Sequence, residues 1–190
     1  MSDQHIRAAA IDDVAFGKRE ITLVAVPYNE EATVSDWRPE AERESFMPGS
    51  FDGIESRTKQ ITLNRDHSRE RVIGSGLAFD SKSDRGLIAT FKVSKTPLGD
   101  ESLQLAADGV LRASISFAAR SQDMAAKDGV MRFYRAFLGH VALTPEPAYE
   151  GAGVLSVRAV DLATGEPITV PATPNLDFAA AVLREITAAR

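Results

Sequence analysis

The chain has 190 residues, 44% of them hydrophobic, a formal net charge of −5 and no cysteine, which suits one domain plus tails with a single sizeable core. The missing cysteines exclude disulfides, a cysteine nucleophile and cysteine-ligated zinc, and an acidic balance without basic runs leaves no electrostatic footprint for nucleic acid. No apolar run is long enough to span a bilayer, and the first residues lack the basic-then-apolar layout of a secretory signal, so the expectation is a soluble cytoplasmic protein without a membrane partner.

Residues 20–27 read as a buried strand ended by Pro27, which cannot donate to a ladder. A polar loop or edge segment over 28–37 leads to 44–51, where Pro48-Gly49 signals a turn and Phe46 and Phe51 can pin it to the body. Residues 60–67 alternate Ile61 and Leu63 against Thr62 and Asn64. That predicts a strand running into a polar turn, with His67 at or just past the strand end, where a scaffold presents catalytic side chains. Taken alone, this segment reads better with His67 as a surface residue in a turn, flanked by Asp66 and Arg69. Residues 72–79 and 86–93 predict two strands joined by a hairpin loop.

A helix follows over 96–109: Thr96 can cap it, Pro97 suits the first turn, Asp100 and Glu101 favour the positive dipole end, and Gly109 can take the left-handed stop. It delivers the chain into the strand 108–117. At a period of two, Leu111, Ala113, Ile115 and Phe117 share one face, while Arg112, Ser114 and Ser116 share the other, away from the core. Residues 118–131 are polar or small, with a turn signal at Lys127-Asp-Gly129. Residues 132–144 form the last long strand pattern, broken near Arg135-Ala136, with His140 on a face shared with Leu138, Ala142 and Thr144. A stiff turn over 145–151 and a short closing strand at 154–158 complete a domain of residues 1–160. The tail 161–190 carries a candidate helix with Phe178, Val182 and Ile186 at i, i+4 and i+8.

A serine hydroxyl is a poor nucleophile until a base takes its proton, and that base needs a third group to fix its tautomer. One serine and two histidines can fill those roles, although composition and spacing do not bring them together in space.

The succession Leu63-Asn-Arg-Asp-His67, Asp84-Arg-Gly-Leu87, Gly109-Val-Leu-Arg-Ala-Ser-Ile-Ser-Phe117, and Leu138-Gly-His-Val-Ala-Leu143 with Pro147-Ala-Tyr149 resembles the prohead (head maturation) serine proteases of tailed phages, the HK97-type family. Glu44-Ser-Phe-Met-Pro-Gly-Ser-Phe51 is similar to that family's opening motif, and the likeness runs from about Ile21 to Arg158. The family in turn resembles the herpesvirus assembly proteases. The resemblance implies an α+β, β-rich fold: a single, closed or nearly closed antiparallel barrel with surrounding helices. It implies Ser114 as nucleophile and His67 as general base. Where most phage members carry a glutamate, this chain has His140 in a setting like the herpesvirus Ser-His-His arrangement. The third member is then His140, or a carboxylate such as Glu146 or Glu150 from the following loop, and Ser116 stands as the alternative nucleophile.

A neutral imidazole stabilises an imidazolium less than a carboxylate does, so a slow enzyme is expected. Backbone N–H groups should form the oxyanion hole, first among them those of the turn from Pro147 to Gly151. The implied substrates are the scaffold or the scaffold-like extension of the major capsid protein, and the protease itself. The place is the assembling procapsid in the host cytoplasm, a homodimer is suggested, and no cofactor or metal is called for. A competing reading is a non-catalytic capsid assembly component of the same fold. A zinc hydrolase is more distant, since no close ligand spacing supports it.

Overall fold

The computed structural model of the chain describes residues 18–33, 43–160 and 167–169, and the predicted helix at 176–190 lies outside them. In chain order the strands are β1 (Glu20–Val26), β2 (Ala32–Thr33), β3 (Arg43–Phe46), β4 (Thr62–Arg65), β5 (Val72–Asp80) and β6 (Leu87–Val93), then β7 (Arg112–Ala118), β8 (Met124–Lys127), β9 (Val130–Phe133), β10 (Phe137–Thr144), β11 (Gly153–Val160) and β12 (Pro167–Thr169). The helix α1 (Pro97–Ala107) precedes β7, and 3-10 turns occupy Ile54–Gln60 and Ser121–Asp123. The signals at the ends of α1 act as expected: Thr96 accepts a hydrogen bond from the Gly99 N–H, and Gly109 takes a left-handed φ of 73°. Gly86 is required where the β5–β6 hairpin meets β1, because a Cβ there would lie 2.2 Å from the Val26 carbonyl oxygen.

Eight strands form one sheet in the order β12-β11-β1-β6-β5-β4-β10-β7, and β2-β3-β9-β8 form a second. The edge strand β7 packs back towards β1 and β11, which curls the large sheet into a nearly closed barrel. The expected all-antiparallel barrel is corrected in two places. β10 runs parallel to β4, and β3 runs parallel to β9, so both sheets are mixed. Alternation of apolar residues says which face a side chain takes and nothing about the strand beside it. The break near Arg135-Ala136 is where the chain leaves the small sheet, through β9, and enters the large one as β10.

The two sheets meet on aromatic rings. Phe46 of β3 stacks on Phe133 of β9 at 5.0 Å and meets Phe51 at 5.3 Å and Phe117 of β7 at 4.8 Å. Phe46 is fully buried, so the motif around Pro48-Gly49 anchors the small sheet beneath the strand that carries Ser114. Phe46→Ala removes that contact set and leaves a cavity, with an expected loss of about 3–5 kcal/mol. Urea unfolding should show it as a lower midpoint with an unchanged slope.

Candidate functional site

β4, β10 and β7 are neighbours in the large sheet, and each supplies one of the predicted groups or leads into it. Antiparallel pairing sets Ala142 of β10 opposite Ser114 of β7, and His140 opposite Ser116. The predicted face for His140 needs one correction. The register shifts between Leu138 and His140, leaving Gly139 as the extra residue of a bulge. Leu138 therefore turns into the core, at 2% exposure, while His140 stays half-buried on the outer face. A Cβ on Gly139 would stand 3.2 Å from the Ser116 carbonyl oxygen, which suits a residue of minimal size at the bulge.

His67 comes from the turn after β4. Asp66 and His67 both adopt left-handed φ values, 53° and 58°, and the Ser68 N–H donates back to the Arg65 carbonyl at 3.0 Å, the geometry of a type I′ turn. Non-glycine residues in this region cost roughly 1–3 kcal/mol each, so the surroundings must hold them there. The Asp66 N–H donates to Leu143 O of β10 at 3.1 Å, and the amide of Asn64 donates to Ser68 O at 3.1 Å. Arg71 pairs with the Asp66 carboxylate at 2.8 Å, and the buried Arg65 guanidinium donates to Ser102 Oγ of α1 at 3.3 Å. The alternation along β4 predicts Asn64 on a polar face with Thr62. It is 2% exposed instead, because its amide is used inside the turn.

These elements join the three side chains in one line. Ser114 Oγ lies 2.9 Å from His67 Nε2, and His67 Nδ1 lies 3.0 Å from His140 Nε2. Burial lowers the pKa of His67 below the usual 6.5, against an opposing pull from Asp66. Burial also lowers that of His140, helped by His67 and Arg69 beside it. Both rings are therefore neutral at pH 7. For Nε2 of His67 to accept from the serine hydroxyl, its proton must sit on Nδ1 and be donated to His140 Nε2, which places the proton of His140 on its own Nδ1.

The alternatives fall elsewhere. Ser116 lies across from His140 in the ladder, one strand repeat from the hydroxyl that His67 meets. Glu146 and Glu150 lie on exposed positions of the turn after β10, and the group within hydrogen-bond distance of His67 Nδ1 is His140.

That turn is tied down from three sides. The Tyr149 hydroxyl donates to the buried Glu44 carboxylate at 3.1 Å, the Gly151 N–H donates to Glu30 Oε1 at 2.9 Å, and Arg112 Nη2 donates to the carbonyls of Tyr149, at 3.5 Å, and Glu150. The contacts of Glu44 and Arg112 link residues more than thirty positions apart and left no local trace in the sequence. Among the described residues no group of three histidine, aspartate or glutamate side chains is placed to hold a metal ion, and no helix is long and apolar enough to cross a membrane.

Compared with family models, residues 25–166 match the caudovirus prohead serine protease. No curated protein matches the sequence. Among solved structures, the chain is similar to the KSHV protease in complex with a hexapeptide phosphonate inhibitor, at 13% identity and a TM-score of 0.45. That similarity covers 72% of this chain and spans 63% of the viral protease, and a likeness so remote carries no inference about the site.

Proposed function

The chain belongs to the caudovirus prohead serine protease family, and on that premise we propose that it is an endopeptidase of head maturation with Ser114 as nucleophile, His67 as general base and His140 as the group that orients the base. The observation that supports this most is the continuous hydrogen-bonded line from Ser114 Oγ through both ring nitrogens of His67 to His140 Nε2. Ser114 Oγ attacks the scissile carbonyl carbon as its proton passes to His67 Nε2. The imidazolium so formed keeps its Nδ1–H on His140, which fixes its orientation without supplying a negative charge. His67 then gives the proton to the leaving amine. Water, deprotonated by the same nitrogen, releases the acyl group and restores Ser114. Backbone N–H groups of the turn after β10 are the proposed oxyanion donors. Gly151 is removed from that set, since its N–H already donates to Glu30, and so is Glu150, whose N–H points away from the Tyr149 carbonyl that Arg112 holds.

The proposed substrates are the scaffold protein or the scaffold-like extension of the major capsid protein, together with the protease itself, cut inside the assembling procapsid. Confinement with the substrate supplies a high effective concentration, so a slow catalyst suffices there. The test is co-expression with the cognate capsid and scaffold proteins, followed by intact-mass measurement of the assembled shells. Defined truncation with wild type and full-length subunits with Ser114→Ala support the proposal. Identical masses with both would refute it.

The protonation states set the pH dependence. His67 must be neutral to act as base, and His140 must be neutral to accept from it. Both pKa values lie below 6.5, so kcat/KM should be level above that pH and fall on the acid side of it. A pH–rate profile on a soluble peptide substrate checks this; an acid limb above pH 6.5 would contradict it.

A further inference from the structure

We infer that Arg112 is a positioning residue for catalysis, holding the turn after β10 beside Ser114 and screening two carbonyl dipoles from the developing oxyanion. The inference rests on the reading of Ser114 as nucleophile. Arg112 and Ser114 are two residues apart on β7, so their side chains leave the same face of the strand about 7 Å from one another. In the ladder Arg112 lies opposite Thr144, the last residue of β10 before the turn. From there its half-buried guanidinium reaches across to the carbonyls of Tyr149 and Glu150.

The orientation of the backbone gives this contact its consequence. A trans peptide points its C=O and N–H in opposite directions. The Glu150 carbonyl turns to Arg112, and the Gly151 N–H of the same peptide group turns to Glu30. Two successive carbonyl oxygens thus present their negative ends to Arg112, which shares its face of β7 with Ser114, and uncapped they would add negative potential to that face. The two N–H groups of Nη2 serve both carbonyls at once, on a planar guanidinium that remains charged at every working pH. Tyr149 is meanwhile held on the core side by Glu44. Arg112 supplies the matching restraint on the reactive side.

The test uses the full chain and a peptide spanning a mapped cleavage site. Arg112→Ala is expected to lower kcat by about 100-fold, the scale of a lost oxyanion contact, with KM little changed and the melting temperature close to wild type. Millimolar guanidinium should restore part of the rate in Arg112→Ala and none in Ser114→Ala. Arg112→Lys keeps the charge without the planar guanidinium and should fall between wild type and Arg112→Ala; it carries the same comparison if the alanine variant does not fold. A kcat for Arg112→Ala near that of wild type, a defect confined to KM, or a loss that follows melting and is indifferent to guanidinium would overturn the inference while wild type still cleaves. Failure of wild type to cleave overturns the reading of Ser114 beneath it, and this inference with it.

Discussion

Ser114→Ala should reduce peptide cleavage by at least about 10⁴-fold, whereas Ser116→Ala should stay near wild type. The two hydroxyls share a strand face and differ by one repeat, and of the two it is Ser114 whose Oγ lies 2.9 Å from His67 Nε2. Ser116 stands opposite His140 in the β7–β10 ladder, beside the proposed orienting group. Single-turnover kinetics on a peptide substrate separate the two variants, because a lost nucleophile removes the acylation step itself. The reverse pattern, with Ser116→Ala dead and Ser114→Ala active, would move the nucleophile by one strand repeat.

His140→Ala should lower kcat by about 10²–10³-fold, less than the loss at Ser114. Removing the ring frees His67 Nδ1, so the base loses its fixed tautomer, but no negative charge is lost with it. His140→Glu makes a sharper test. A carboxylate at that position would favour the imidazolium and raise the pKa of His67, so the acid limb of the pH–rate profile should move to higher pH than in wild type, where burial holds that pKa down. An unmoved limb in His140→Glu would mean that position 140 does not face the base in solution.

Much of the fold could be read from local patterns. The alternation at Ile61 and Leu63, the hairpin between β5 and β6, and the caps of α1 are each set by a few adjacent residues, and the structure forms them where those residues stand. The parallel neighbours β4 and β10 could not be read in the same way, because pairing across nearly eighty positions leaves no periodic mark. β8 is illegible for a different reason: Met-Ala-Ala-Lys is mostly exposed at a sheet edge and has weak strand propensity. At the site, Ser114, His67 and His140 were singled out by residue type and by likeness to a family, and the structure brings them into hydrogen-bond reach. The bulge at Gly139, the buried amide of Asn64 and the reach of Arg112 to the turn after β10 are tertiary facts. Each depends on a partner strand or turn that the neighbouring sequence does not name.

The most direct measurement of the central claim is active-site labelling with a peptide phosphonate, which phosphonylates an activated serine oxygen and displaces the leaving group, followed by mass mapping of the adduct. One adduct per chain on Ser114, absent in His67→Ala and retained in Ser116→Ala, is the predicted result. An adduct on Ser116, or labelling of Ser114 that persists at the wild-type rate in His67→Ala, would contradict the Ser114–His67–His140 account.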